Sequence, residues 1–351
     1  MLFDKVIGHE KQIAILKRDI ENNNMAQSYI LSGAEGIGKH LLVMIAARYL
    51  NCLSPANGDA CGSCESCLKF TIQQEGPLLS VTSTHPDIEV LEPEWKDDKG
   101  KQKKNPIIKV DEIRRFQDNI YSKAYAGKYK VGIIDHGDMM NKEAANSLLK
   151  TLEEPPENVV IFVITSLFTK LLPTIRSRCR TVNFHSLPTV EIANFLTATG
   201  VSQDKADIIS FVSMGSLGNA IKTDHEEVFS VLRDAAAFLQ LFFTNKVAER
   251  YIMMEQYAKK HDVIRLEKFL WYLQLILSHF ITESRKAEIL RKGFFKEETF
   301  QVLNARLTHD VVTSSVWMID RVRVDLKHNL NTHLLLEIMN IKFKEILDRS
   351  K

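Results

Sequence analysis

The chain has 351 residues, with 46 Lys and Arg against 44 Asp and Glu, a formal net charge of +2 and five cysteines. That length predicts two or three domains, and an apolar fraction of 45% with 15 Gly and 9 Pro fits an ordinary globular protein and argues against disorder. Near-neutrality argues against a protein that grips DNA alone, since holding phosphates at ordinary salt needs a clear basic excess.

The N-terminal MLFDKVIGHEKQ lacks the apolar run of a signal peptide. Arg48 breaks LLVMIAARYL, so no stretch reaches the ~20 apolar residues of a membrane span. A cytoplasmic location is expected.

Gln27–Leu31 (QSYIL) predicts a strand that runs into a glycine-rich turn and then a helix over His40–Leu50. The turn, Gly33-Ala34-Glu35-Gly36-Ile37-Gly38-Lys39-His40, has the spacing of a Walker A loop. Gly33, Gly36 and Gly38 would let backbone N–H groups turn toward phosphate oxygens, and Lys39 would add a full positive charge. His40 stands where a Ser or Thr hydroxyl would bind Mg²⁺, a hard cation that prefers oxygen. A glycine-rich turn with no ligand is the competing account.

Cys52, Cys61, Cys64 and Cys67 follow in the form C-x8-C-x2-C-x2-C. In a reducing compartment such clustering points to a metal, not disulfides. Four thiolates close a tetrahedral Zn²⁺ site with no position left for water, so the site is expected to be structural. An iron–sulfur centre fits less well, because the bacterial ferredoxin run places its fourth cysteine shortly after the third and follows it with Pro. Cys179 lies far off in sequence and is not expected to be a ligand.

Between Lys96 and Asn105 the pattern collapses into charge (KDDKGKQKKN), which reads better as a solvated hairpin tip than as a DNA-touching loop. Lys130–Asp135 (KVGIID) and Val159–Thr165 (VVIFVIT) are the apolar, β-branched runs of strands buried on both faces. Alternation with helices predicts a parallel sheet with right-handed crossovers. Asp135 ends its strand and could help to hold a metal, whereas His136 occupies the position of a water-activating Glu and reads as a loop residue. Ala144, Leu148 and Leu152 mark the buried face of a helix that Pro155-Pro156 ends.

Short helical segments are expected after Pro188, with a turn at Gly215-Ser216-Leu217-Gly218. From about residue 226 the apolar spacing is helical throughout. Phe269, Leu270, Leu273, Ile276 and Leu277 form one face, and Leu334, Leu335, Ile338, Ile341 and Leu347 another, as in a packed bundle with a surplus face for a subunit contact.

Ala145-Asn146-Ser147-Leu148-Leu149-Lys150-Thr151-Leu152-Glu153-Glu154-Pro155-Pro156, then a buried strand and Ser177-Arg178-Cys179, resembles the bacterial clamp-loader branch of the AAA+ proteins. The four-cysteine insertion, His85-Pro86-Asp87 and Ile108–Ile113 (IKVDEI) are similar to the same branch, and the likeness spans roughly residues 3–221. It implies an α/β AAA+ P-loop domain with a zinc module over residues 1–184, a small helical lid over 185–225 and an all-α collar over 226–351. It also implies ATP as the nucleotide, Thr165 as a nucleotide-sensing position, and Arg178 as an arginine finger offered in trans. A buried strand-end threonine accounts for Thr165 equally well.

The gamma and tau motors of that branch keep a hydroxyl after the Walker lysine, a Glu in the second acidic motif and an Arg in a G-S-x-R turn. This chain has His40, His136 and Gly218 there. The departures resemble a member that no longer hydrolyses ATP but still supplies Arg178. Implied partners are gamma/tau and delta subunits in a hetero-oligomeric ring, and the sliding clamp and primed DNA through that ring. The rivals are an active ATPase motor that tolerates the histidines, and a zinc-containing adaptor that uses neither nucleotide nor finger.

Overall fold

The computed structural model describes residues 1–96, 100, 106–244, 246–259, 263–281, 293–326 and 331–348. Most of the Lys96–Asn105 charge run, including the lysines at 99, 101, 103 and 104, lies outside them. The chain divides into two compact units, residues 1–202 with 213–221, and residues 203–212 with 222–351.

The first unit is built on β1 (Ser28–Ser32), β4 (Ile88–Leu91), β5 (Lys130–Ile134), β6 (Val159–Thr165) and β7 (Arg180–Asn183). These strands are all parallel and lie in the order β4-β5-β6-β1-β7. A separate antiparallel hairpin pairs β2 (Phe70–Glu75) with β3 (Leu78–Ser83). Period-2 alternation sends successive side chains of β1 to opposite faces. Tyr29 and Leu31 join Leu16 of α1 (Glu10–Glu21) and Leu42, Val43 and Ala46 of α2 (Lys39–Leu50) in one core. Ile30 enters the other, with Ile113 and Phe116 of α4 (Val110–Tyr121) and Leu148 and Leu152 of α5 (Lys142–Glu153). Covered on both faces, β5 and β6 are buried along their whole length, as their mostly apolar sequences require, with Lys130 at the start of β5 turned toward Asp87.

Asn141 caps α5 by accepting from the Ala144 N–H at 2.8 Å, and the helix stops at Glu153, before the paired prolines. Ala144, Leu148 and Leu152 form its buried face, as the spacing predicted.

The second unit is helical. Within it the helix His225–Phe243 packs on Val263–Phe280, that helix on His309–Leu326, and the latter on Thr332–Asp348. Phe269, Leu270, Leu273, Ile276 and Leu277 are buried in its core. The last helix differs from the expectation. Leu335, Leu336, Met339 and Phe343 are its buried apolar residues, while Leu334, Ile338 and Ile341 are exposed. Two apolar stripes lie side by side on this helix, and a sequence pattern alone merges them. Among the described residues no helix is long and apolar enough to cross a membrane.

Asp87, just before β4, ties the hairpin and the cysteine segment to the sheet. Its buried carboxylate accepts the N–H groups of Tyr125, Ala126 and Gly127, each at 2.7 Å, and Lys130 Nζ lies 3.8 Å away. Burial alone would raise its pKa, but the three backbone donors lead the effects that outweigh burial and hold it below the usual carboxylate value. His85 Nδ1 accepts the Asp87 N–H at 3.1 Å, so its proton sits on Nε2, which donates to Ser66 Oγ at 3.0 Å. Ser66 lies next to Cys67 on the one-turn helix α3 (Glu65–Leu68).

Asp87→Asn is expected to weaken the β4–β5 region by roughly 2–4 kcal/mol, since it leaves buried N–H groups with a poorer acceptor. A carboxyl depressed on folding contributes fully above its unfolded pKa of about 3.9 and loses that contribution as pH falls through the folded value. Hydrogen exchange of the β4 and β5 amides should therefore show faster opening in Asp87→Asn at neutral pH and a smaller acid-induced change than in the wild-type chain.

Candidate functional site

The glycine-rich loop connects β1 to α2 at the C-terminal edge of the sheet, where open α/β folds bind ligands. Gly36 and Gly38 take positive φ values of 73° and 101°, and Gly38 immediately precedes α2. Three carbonyls of this segment are held from outside. His9 Nε2 donates to Ile37 O at 2.8 Å, Ser216 Oγ to Glu35 O at 2.8 Å, and the Gly218 N–H to Gly36 O at 2.7 Å. His9 is buried, and burial pushes its pKa down, which favours the neutral ring.

The contact between Gly218 and Gly36 is backbone against backbone. A Cβ on Gly218 would lie 2.8 Å from Gly36 Cα and 2.9 Å from Gly36 O. The position at which the motors carry an arginine has no room for any side chain in this arrangement. Beside the loop lies a pocket of about 150 Å³ whose walls include Val6, Leu41, Leu78, Phe195 and Leu217.

Lys39 is 6% exposed and donates from Nζ to Gly33 O and Ala34 O, both at 2.6 Å. Burial lowers its pKa, against the opposing pull of Asp135, Glu35 and Asp138. His40 Nδ1 meets Asp135 Oδ2 at 2.8 Å. Burial would lower the His40 pKa, but the bond to Asp135 and the charges of Asp135 and Glu92 prevail and raise it. Asp135 is correspondingly lowered: burial works the other way, but His40, His136 and the His136 N–H outweigh it. His136 is left-handed (φ 53°) and packs edge-on against Trp95 with ring centres 5.1 Å apart. Thr165 is fully buried and donates to Asp138 Oδ1 at 2.7 Å. The fold therefore brings Gly33, Gly36, Gly38, Lys39, His40, Asp135 and Thr165 to one edge. A magnesium ion in the manner of a Walker loop does not fit, because His40 has no hydroxyl oxygen to give it.

The four cysteines do converge. Every Sγ of Cys52, Cys61, Cys64 and Cys67 lies within 4.8 Å of the others, with Cys52–Cys64 and Cys61–Cys67 at 4.0 Å. A tetrahedral Zn²⁺ with Zn–S bonds of ~2.3 Å needs sulfur–sulfur separations of about 3.8 Å. The Cys61 N–H donates to Cys52 Sγ at 3.2 Å and the Cys64 N–H to Cys61 Sγ at 3.4 Å, bonds that favour thiolates. The cluster can hold a zinc ion. Cys179 is elsewhere, against the α5 side of the core, where burial pushes its thiol up to about 12.

Arg178 follows the short helix Pro173–Arg176 and precedes β7, so it stands at the N-terminal edge of the sheet. It borders an open hollow with Gln27 and Ser28, the start of β1, while the phosphate loop follows the end of β1. Five residues of strand separate the two ends by roughly 16 Å. The arginines flanking it are committed: Arg180 pairs with buried Asp19 at 2.5 Å, and Arg176 lies over the Phe168 ring at 5.2 Å. Arg178 donates to Thr174 O at 2.9 Å and pairs with Glu153, itself partly exposed.

Sequence reasoning missed His9 and Glu92, and saw Ser216 only as part of a turn and Glu153 only as part of a helix-end motif, because each meets its partner only across the fold. His85-Pro86-Asp87 was visible as a motif, but its part in joining the cysteine segment to the sheet was not.

A five-stranded parallel sheet, a Walker-type loop altered at its metal position and a four-cysteine insertion define a P-loop domain of the AAA+ clamp-loader kind. Residues 8–188 match the family model described as DNA polymerase III, delta subunit, and the chain belongs to that family. It is 24% identical over 337 residues to DNA polymerase III subunit delta' of Bacillus subtilis, covering 94% of both chains. It is 39% identical over 154 residues to subunit delta' of Pseudomonas aeruginosa, covering 44% of this chain and 42% of that one. It is 31% identical over 194 residues to subunit tau/gamma of Haemophilus influenzae, covering 55% of this chain. The chain thus spans only a quarter of the Haemophilus protein's length and less than half of the Pseudomonas protein's.

The close backbone approach makes a direct prediction. Gly218→Arg is expected to break the Gly218–Gly36 hydrogen bond and destabilise the loop by ~1–3 kcal/mol, because the clash is with backbone and not with a movable side chain. Limited proteolysis should then cut within residues 213–221, which the wild-type chain protects, and the substitution should not create ATP turnover.

Proposed function

We propose that this chain is a delta-prime-like subunit of the DNA polymerase III clamp loader, a largely non-hydrolysing end-piece of a ring that places the sliding clamp on primed DNA during replication. The observation that carries the reading is the division of labour across the sheet. The chain's own phosphate loop lacks the metal-binding hydroxyl, whereas Arg178 faces outward at the opposite end of β1. A guanidinium is a permanent planar charge suited to a phosphate, and an exposed pair such as Arg178–Glu153 is worth only ~0–1 kcal/mol, so the arginine is easily released.

In this reading Arg178 acts on ATP held by a neighbouring gamma/tau subunit, and the partners are gamma/tau and delta. Residues 1–184 form the AAA+ domain, 185–225 the lid and 226–351 the collar. Exposed Leu334, Ile338 and Ile341 supply part of the collar's contact surface. Zinc held by Cys52, Cys61, Cys64 and Cys67 is structural, and the near-neutral charge suits a subunit that meets DNA as part of an assembly.

Arg178→Ala, assembled with gamma/tau and delta, is expected to lower the turnover of the neighbour's site at least ~10³-fold while leaving ring assembly intact. The whole ring's steady-state ATPase and gel filtration measure both, and an unchanged rate overturns the reading. Metal analysis of the purified chain is expected to give about one zinc per chain, and Cys61→Ser should lose it together with thermal stability.

A further inference from the structure

Three elements bring unlike metal ligands together at the C-terminal edge of the sheet. His40 comes from the first turn of α2, Asp135 from the end of β5 and Glu92 from the residue after β4. Their ligand atoms all lie within 4.8 Å of one another, with His40 Nδ1 and Asp135 Oδ2 already 2.8 Å apart. Two ligands in adjacent positions of an octahedron with bonds of ~2.1 Å are about 3.0 Å apart, so this pair needs almost no adjustment to share an ion. Glu92 is exposed, and its side chain can close the remaining gap without disturbing packed structure.

We propose that His40, Asp135 and Glu92 form a binding site for a divalent first-row transition cation of the Mn²⁺ to Zn²⁺ series, held without nucleotide, in a place where Mg²⁺ does not fit. Binding displaces the proton that His40 Nδ1 shares with Asp135, after which two carboxylates and a neutral imidazole carry a charge of −2 that a divalent ion balances. The adjacent positive charge of Lys39 is held by Gly33 O and Ala34 O. One nitrogen and two carboxylates suit borderline cations, whereas Mg²⁺ demands oxygen and keeps its water. The substitution of imidazole for hydroxyl therefore changes the class of metal, instead of only removing a ligand. This site is separate from the four thiolates, which are soft ligands and poor partners for Mn²⁺. It stands whether or not Arg178 serves a neighbour.

Mn²⁺ is the probe. Titration of the full-length, zinc-loaded chain, followed by electron paramagnetic resonance without nucleotide, is expected to show one Mn²⁺ bound per chain. A ~100-fold excess of Mg²⁺ should leave it bound. His40→Ala and Glu92→Gln are each expected to weaken binding at least ~10-fold, while Asp310→Asn, which removes a fully exposed carboxylate of the second unit, leaves it unchanged. Melting curves without added Mn²⁺ show whether the site variants fold. His40→Thr, which restores the hydroxyl, guards against a mere loss of structure, because it should now let Mg²⁺ compete. No bound Mn²⁺, binding indifferent to His40 and Glu92, binding that needs ATP, or ready displacement by Mg²⁺ would each overturn the proposal.

Discussion

The buried carboxylate of Asp87 is the constraint on which the arrangement of the first unit rests. A fully buried charge is tolerable only when its hydrogen bonds are nearly complete, and Asp87 meets that demand by gathering three consecutive N–H groups from residues 125–127. The same residue's carbonyl accepts from Val131 at 2.8 Å, which starts the β4–β5 ladder. Leu91 O then accepts from Asp135 at 2.9 Å, at the other end of that ladder. The register set at Asp87 is therefore what puts Glu92 beside Asp135. Through His85 and Ser66 the same anchor reaches the cysteine segment, so the thiolate cluster and the sheet edge share one fixed point.

The phosphate loop shows how a ligand-type loop can be built into a fold as a structural part. Its outward carbonyls are taken by His9, Ser216 and Gly218, and two further carbonyls by Lys39. Each of these bonds replaces a partner that water would otherwise provide. The Gly36–Gly218 approach depends on both residues lacking a Cβ, and it fixes the 216–218 turn directly against the loop.

Much of this was legible in the sequence, for identifiable reasons. Strands buried on both faces write themselves as continuous apolar runs, so β1, β5 and β6 could be read to within a residue or two. The cysteines could be read because short spacings force thiols together whatever the fold does. The last helix could not be read fully, because its two apolar stripes are adjacent and only packing shows that 335, 336, 339 and 343 face inward. The candidate site was half legible. Gly33 to His40 announce themselves by local spacing, but Glu92 sits 52 residues from His40 and 43 from Asp135, and only the strand order β4-β5 brings it near. The three arginines of Arg176-Ser177-Arg178-Cys179-Arg180 look equivalent on paper. Burial of Asp19 and the position of the Phe168 ring are what distinguish them.

Lys39 bears on how the whole edge of the sheet should be understood. In a loop that only cradled phosphate, a lysine with its charge buried would be a liability whenever the anion was gone. Here two carbonyl oxygens at 2.6 Å accept from it, and Asp135, Glu35 and Asp138 favour its charged form. Its charge is accommodated by the fold, independently of any nucleotide. A Walker-type lysine beside a histidine at the metal position is therefore not a contradiction. The lysine stabilises the loop, and the histidine is free to serve a different ion. The loop's shape and the chemistry at its mouth are set by separate residues, and the second can change while the first stays intact.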